Sequence, residues 1–257
     1  MGILLLKLTL TPVLIGGASL AGRRWGAQVG GWLVGIPFTS GPIAFFLAVG
    51  YGAHFAAGAS VGILAGGASQ TAFALAYSWL ALRFGWVRCV IGATVAFAVA
   101  TALLGVAGTG ALITLAMTAA ALALALAVLP RRAVENVASV ALPWWDIPAR
   151  MLVATVFVLA ITTAAPALGA RMSGLLSPFP VYAAVLCVFA HRLEGVGAAI
   201  AVMRGLLLGL FSFAAFFTML ALLLEPSGVA VAFTAAIALA LLVQAGSLMA
   251  GRRLGMA

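Results

Sequence analysis

The chain has 257 residues, 66% of them hydrophobic and only 7% charged, with a mean hydropathy of +1.29. A soluble domain is about 25% charged, so there are too few polar side chains here to cover a water-facing surface; a soluble enzyme, a nucleic-acid binder and a disordered regulator are excluded. The +9 charge comes from 13 Lys+Arg against 4 Asp+Glu, with no basic run longer than two residues, and reads as a signal of membrane topology.

At about 20 residues per crossing, nine apolar segments are predicted: residues 3–21, 28–49, 54–82, 86–105, 109–130, 148–167, 172–190, 195–224 and 228–250. The first lacks a basic leader and a cleavage site, so it reads as a span. The third and eighth approach 30 residues, long enough to tilt or to extend past the lipid. Cys89 and Cys187 fall inside apolar stretches and read as small core residues, not as a disulfide.

The basic residues sort by side. Arg23, Arg24, Arg83, Arg88, Arg131, Arg132, Arg150, Arg192, Arg252 and Arg253 all fall at one face, whereas the opposite loops carry only Arg171 and Glu225. The positive-inside rule then puts the N-terminus outside and the C-terminus in the cytoplasm of a bacterial inner membrane. Trp25, Trp79, Trp86, Trp144 and Trp145 share the basic face, as expected of interfacial indoles.

Sliding the chain against itself reveals one offset, 143 residues, that needs no gap from residue 4 to about 98. Within 26–73, 14 of 48 positions are identical, including Pro37 on Pro180, Gly62 on Gly205, Gly66 on Gly209 and Ser69 on Ser212. Spans 1–4 therefore correspond to spans 6–9, and span 5 is unpaired. With an odd span between them, the two sets must enter the membrane from opposite sides. The expected fold is an all-α integral membrane protein with nine transmembrane helices. Two inverted four-helix repeats (1–106 and 133–257) are joined by a linker helix (107–132).

Spans 2 and 7 carry interruptions. Span 2 contains Pro37, Thr39, Ser40, Gly41 and Pro42; span 7 contains Ser177, Pro178, Pro180 and Tyr182. Proline removes a backbone donor and clashes with the preceding turn. Groups freed in this way must face protein or a wet cavity, not lipid. A half-helix starting near Pro42 or Pro180 would aim its N–H groups and positive dipole end at such a cavity, which suits an anion. The shared GxxxGxxS pattern of spans 3 and 8 reads first as close helix packing, with Ser69 and Ser212 on it. Gln70 is a costly mid-span amide and joins the candidate set.

Lys7 and Arg150 lie at matching places near the starts of spans 1 and 6 and read as cations that either snorkel or attract an anion. Arg204 is about nine residues into span 8, roughly 14 Å along it. That depth makes it the strongest single candidate for binding an anionic group in a cavity between the repeats. No catalytic motif, metal-ligand set or cofactor loop is present, so an enzyme is not expected and neither is a cofactor. The pattern points to a secondary transporter or facilitator for a small anionic, polar or amphiphilic molecule moved by alternating access. A channel on the same scaffold is the alternative, as is a membrane enzyme or assembly subunit acting on lipid headgroups. The expected partners are the lipid bilayer and a small anionic molecule; nucleic acid is not expected, and a homodimer is compatible with the sequence.

Overall fold

The computed structural model describes residues 2–25, 32–33, 36–131 and 145–253. These form eight helices: α1 (Gly2–Trp25), α2 (Ser40–Tyr51), α3 (Ala53–Ala81), α4 (Trp86–Val106), α5 (Ala111–Val128), α6 (Asp146–Leu176), α7 (Val181–Leu193) and α8 (Val196–Arg253). Among the described residues there is no strand. The Ala, Leu and Met content of the segments favours this: Ala and unbranched side chains lose little freedom in a helix, and an apolar environment forces backbone groups to pair within the segment.

Among the described residues, five stretches are long and apolar enough to cross a membrane: Ala53–Ala81, Trp86–Val106, Ala111–Val128, Asp146–Leu193 and Val196–Ser247. The last two, of 48 and 52 residues, exceed a single crossing of about 20 residues more than twofold. Both contain internal breaks. α6 leaves helical geometry at Gly169 (φ 73°, ψ 168°) and α8 at Gly228 (φ 76°, ψ 172°). Gly52 (φ 90°) and Gly195 (φ 91°) turn the chain in the same way ahead of α3 and α8. This region of backbone space is essentially closed to residues with a Cβ.

These bounds recur at the spacing seen in the sequence. α3 starts at Ala53 and α8 at Val196; α4 starts at Trp86 and the second arm of α8 follows Gly228; α1 ends at Trp25 and α6 breaks at Gly169. Each pair of positions is related by 143 residues, to within one. α3 and the first arm of α8 form the centre and pack on each other, α3 also meeting α4, α5 and α6, and α8 also meeting α5 and α7. Their side chains dominate the core, with Ile63, Leu64, Phe73 and Tyr77 against Met203, Leu206, Leu207 and Phe217. α4 and α5 lie outside them and expose Ile91, Val95, Val99 and Leu103, and Leu112, Ile113 and Leu124. An apolar stripe of that kind suits lipid.

The close approach of α3 to α6 depends on missing side chains. A Cβ on Gly62 would meet the Arg171 carbonyl and come within 3.1 Å of Gly174 Cα, and one on Gly66 would come within 2.6 Å of Pro178 Cγ. The packing role expected of the GxxxG pattern is thus seen on α3. Buried hydroxyls on these helices fold back on the preceding turn: Ser60, Thr71, Ser78 and Thr218 each donate to the carbonyl four residues earlier.

Candidate functional site

The chain is not helical at 36–39, before α2, or at 177–180, between α6 and α7. The two connections are built alike. Phe38 N–H donates to the Ile36 carbonyl at 2.7 Å and Val181 N–H to the Phe179 carbonyl at 2.8 Å. Gly41 N–H donates to Pro37 at 2.8 Å and Ala184 N–H to Pro180 at 2.7 Å; Ile36 N–H bonds Leu33 at 3.0 Å and Phe179 N–H bonds Leu176 at 3.1 Å. The bond between residues two apart closes a tight three-residue turn with Pro37 or Pro180 at its centre. Pro180 has φ −81° and ψ 53°, near the inverse γ-turn minimum, and the proline ring holds φ close to that value.

The two turns meet. Ser40 Oγ donates to the Ser177 carbonyl at 3.2 Å. Both turns line a small polar cavity of about 30 Å³, together with Gln70 and Phe213; that is room for about one water. Its lining pairs off at the 143-residue spacing: Ile36 with Phe179, Pro37 with Pro180, Phe38 with Val181, Thr39 with Tyr182, Ser40 with Ala183, and Gln70 with Phe213. Pro178 completes the lining, and its counterpart, residue 35, lies outside the described residues. The N-termini of α2 and α7 therefore face one space. Neither has a side-chain cap. The Ser40, Tyr182 and Ala183 amides find no acceptor among the described residues. Gln70 is buried, and its Oε1 lacks a partner there too.

The other candidates divide. Gly41, Pro42 and Ser212 line a second, apolar cavity of about 600 Å³ on the far side of the first turn. The Ser177 and Ser69 hydroxyls are fully buried without a partner among the described residues, and neither residue lines a described cavity. The side chain of Lys7 lies outside the described residues.

Arg150 neither snorkels nor lines a vestibule. It is buried, and its Nε donates to Asp146 Oδ1 at 2.9 Å, one helical turn earlier. Its guanidinium lies 5.4 Å from the centre of the Tyr182 ring and 5.9 Å from that of Phe189. Since Tyr182 lines the polar cavity and accepts a hydrogen bond from Ser19 Oγ at 3.1 Å, the ion pair sits behind the wall of the site. The Asp-x-x-x-Arg spacing is the signal that reveals this pair in sequence.

Arg204 also stands elsewhere than expected. It lines none of the three described cavities, and its Nη2 donates to the Pro130 carbonyl at 3.0 Å, just past α5. Helical side chains lean toward the N-terminus of their own helix. That lean carries a long side chain two turns into α8 back to the end of α5, whose last carbonyls need donors. Arg171 acts similarly, its Nη2 donating to the Leu104 carbonyl in the last turn of α4 at 2.9 Å. The histidines pair locally, His54 Nδ1 with Glu225 Oε1 at 2.9 Å and His191 Nδ1 with the Tyr77 hydroxyl at 3.1 Å. Among the described residues no three or more His, Cys, Asp and Glu are grouped to hold a metal.

No protein-family model, curated protein or solved structure matches this chain.

Proposed function

We propose that the chain is a secondary transporter or facilitator of the inner membrane for a small anionic or polar molecule. It is built from two inverted four-helix repeats, spans 1–4 and 6–9, about the linker helix α5. The observation that carries this reading is the polar cavity, whose lining pairs residue for residue at the repeat spacing. A space lined in this way lies on the pseudo-two-fold axis, where transporters of inverted design bind substrate between broken helices. α5 is the odd helix between the two sets, so the chain enters the second set from the side opposite to the first. Arg83, Arg88, Arg192, Trp79 and Trp86 gather around the ends of α3, α4 and α7, with Arg192 over the Trp86 ring at 5.5 Å. That cluster supports an N-terminus outside and a C-terminus in the cytoplasm.

The chemistry follows from the opposed helix ends. Two positive dipole ends with free amides attract a carboxylate or another small anion, and the Gln70 amide can turn either its N–H or its C=O to the same guest. At about 30 Å³ the cavity is the closed form of the site, and rocking of one repeat against the other widens it toward one face at a time. Arg204, bonded to Pro130, is not part of this binding set.

A thermal-shift screen of the purified chain against small carboxylates and inorganic anions tests the reading, because a ligand of the folded state raises its apparent stability. The shift given by a true substrate should vanish in Gln70→Leu. The same compound should show trans-stimulated counterflow in proteoliposomes, which separates a carrier from a channel. A shift unaltered by Gln70→Leu, or flux without trans-stimulation, would overturn it.

A further inference from the structure

The corner where α3 leads into α4 carries positive charge that its surroundings do not neutralise. Arg83 and Arg88 flank it, and both are exposed. Among the described residues no acid lies within ion-pair distance of either one: Asp146 holds Arg150 and Glu225 holds His54. Arg88 stands in the first turn of α4, which contains no acid. A cation there adds to the positive end of the helix dipole instead of offsetting it. Its guanidinium lies 5.8 Å from the centre of the Phe84 ring, itself exposed. The fold does not require these residues. At the repeat-related connection Arg83, Phe84, Trp86 and Arg88 give way to Pro226, Ser227, Val229 and Val231.

The two faces of α4 differ. Cys89, Ala93, Phe97 and Thr101 recur every four residues and are buried. Ile91, Val95 and Val99 recur on the opposite face and are exposed, and Arg88, three residues before Ile91, heads that stripe. From Arg88 to Val99 is eleven residues, roughly 16 Å of helix, about half of a hydrocarbon core some 30 Å thick. Near the corner the helices are drawn together at Gly92, where a Cβ would meet the Leu80 side chain. An uncompensated cation pair thus stands at the head of an apolar stripe one leaflet long.

We propose that this corner binds an anionic phospholipid of the adjoining leaflet, its phosphate on Arg83 and Arg88 and an acyl chain along Ile91, Val95 and Val99. Such a lipid matches both ends of the surface. A free anion leaves the stripe uncovered, and a zwitterionic lipid brings no net charge to the arginines. The site is separate from the polar cavity and stands whether or not the chain transports anything.

The test uses the full chain in phosphatidylcholine nanodiscs. The probes are phosphatidylglycerol with a spin label near the headgroup end of one acyl chain, and phosphatidylcholine labelled at the same place. The label quenches nearby indoles. Trp79 is exposed and lies one helical turn before Arg83, and its signal is the difference between the chain and its Trp79→Phe variant. Labelled phosphatidylglycerol should quench Trp79 at a lower mole fraction than labelled phosphatidylcholine. Arg83→Gln and Arg88→Gln, neither of which breaks an ion pair, should each cut that preference about fivefold. Arg192→Gln removes the same charge from the same end of the bundle. Its guanidinium lies over the Trp86 ring, on the side of α4 away from the stripe, so this change should leave the preference intact. Equal quenching by the two lipids would overturn the assignment. So would a loss in Arg192→Gln as large as in Arg88→Gln, the mark of diffuse surface charge, or displacement of the labelled lipid by added inorganic phosphate, the mark of a soluble-anion site.

Discussion

The turn before α2 and the turn before α7 make the same three backbone hydrogen bonds, yet they carry different side chains. Thr39 and Ser40 stand where the second turn has Tyr182 and Ala183. Behind the second turn lies the buried Asp146–Arg150 pair, and at those places the first half has Ile3 and Lys7. Beside the first turn lies the open apolar cavity, and beside the second the Phe97–Phe157–Phe179 cluster. The repeated part is the backbone device, held by a proline that suits a tight turn. The part free to vary is what each half packs against it. The cavity between the two turns thus has walls of like backbone and unlike surroundings.

The ion pair offers the strongest way to break this comparison. Asp146→Ala leaves the buried Arg150 uncompensated, which costs about 3–5 kcal/mol, and should show as a large fall in thermal-unfolding midpoint. Pairing Asp146→Leu with Arg150→Met should restore most of it, since a buried ion pair is often replaceable by apolar groups. If the single change is silent, the second half does not depend on the pair.

The helix crossing is the next test. Gly62→Leu drives a side chain into the Arg171 carbonyl and Gly174 and should cost about 3 kcal/mol. Gly205→Leu, its counterpart in the other half, should cost about the same if the two crossings are alike. Smaller effects are expected at the turns. Gly52→Ala and Gly195→Ala each force a Cβ into backbone geometry near φ 90° and should lower stability by about 1–3 kcal/mol. Unequal losses would show that the two turns are not equivalent.

The smallest effect should come from the cavity itself. Gln70→Leu removes an amide whose Oε1 has no partner among the described residues, so stability should change by less than about 1 kcal/mol while anion-induced thermal shifts disappear. Phe213→Gln, which makes the lining more symmetric, should keep the fold and widen the cavity.

Much of this could be read from the chain. Apolar composition dictated membrane-compatible helices, and Pro37, Pro178 and Pro180 marked the breaks because proline cannot continue a helix. The 143-residue offset also joins Gly52 to Gly195, and only the backbone shows that the chain turns at both. What escaped was set by partners distant in sequence. Arg204 read as an anion-binding cation from its depth in span 8, yet a backbone carbonyl 74 positions away satisfies it, and carbonyls leave no trace in a sequence. Asp146 lies just ahead of the predicted sixth span, and its four-residue spacing from Arg150 foretold the pair. Gln244 is a mid-span amide like Gln70 and invited the same cost argument; its donation to Trp32, 212 residues away, depends on how the two ends of the chain meet.

The central claim is that the polar cavity lies between inverted halves and opens to each side in turn, and the most direct test needs no substrate. Thr39→Cys, in a chain carrying Cys89→Ala and Cys187→Ala, is reconstituted in sealed vesicles of known orientation and exposed to a membrane-impermeant thiol reagent on one face or the other. Alternating access gives slow labelling from either face, with no ionic leak while it proceeds. Labelling from one face alone, or from both with an accompanying leak, would contradict it.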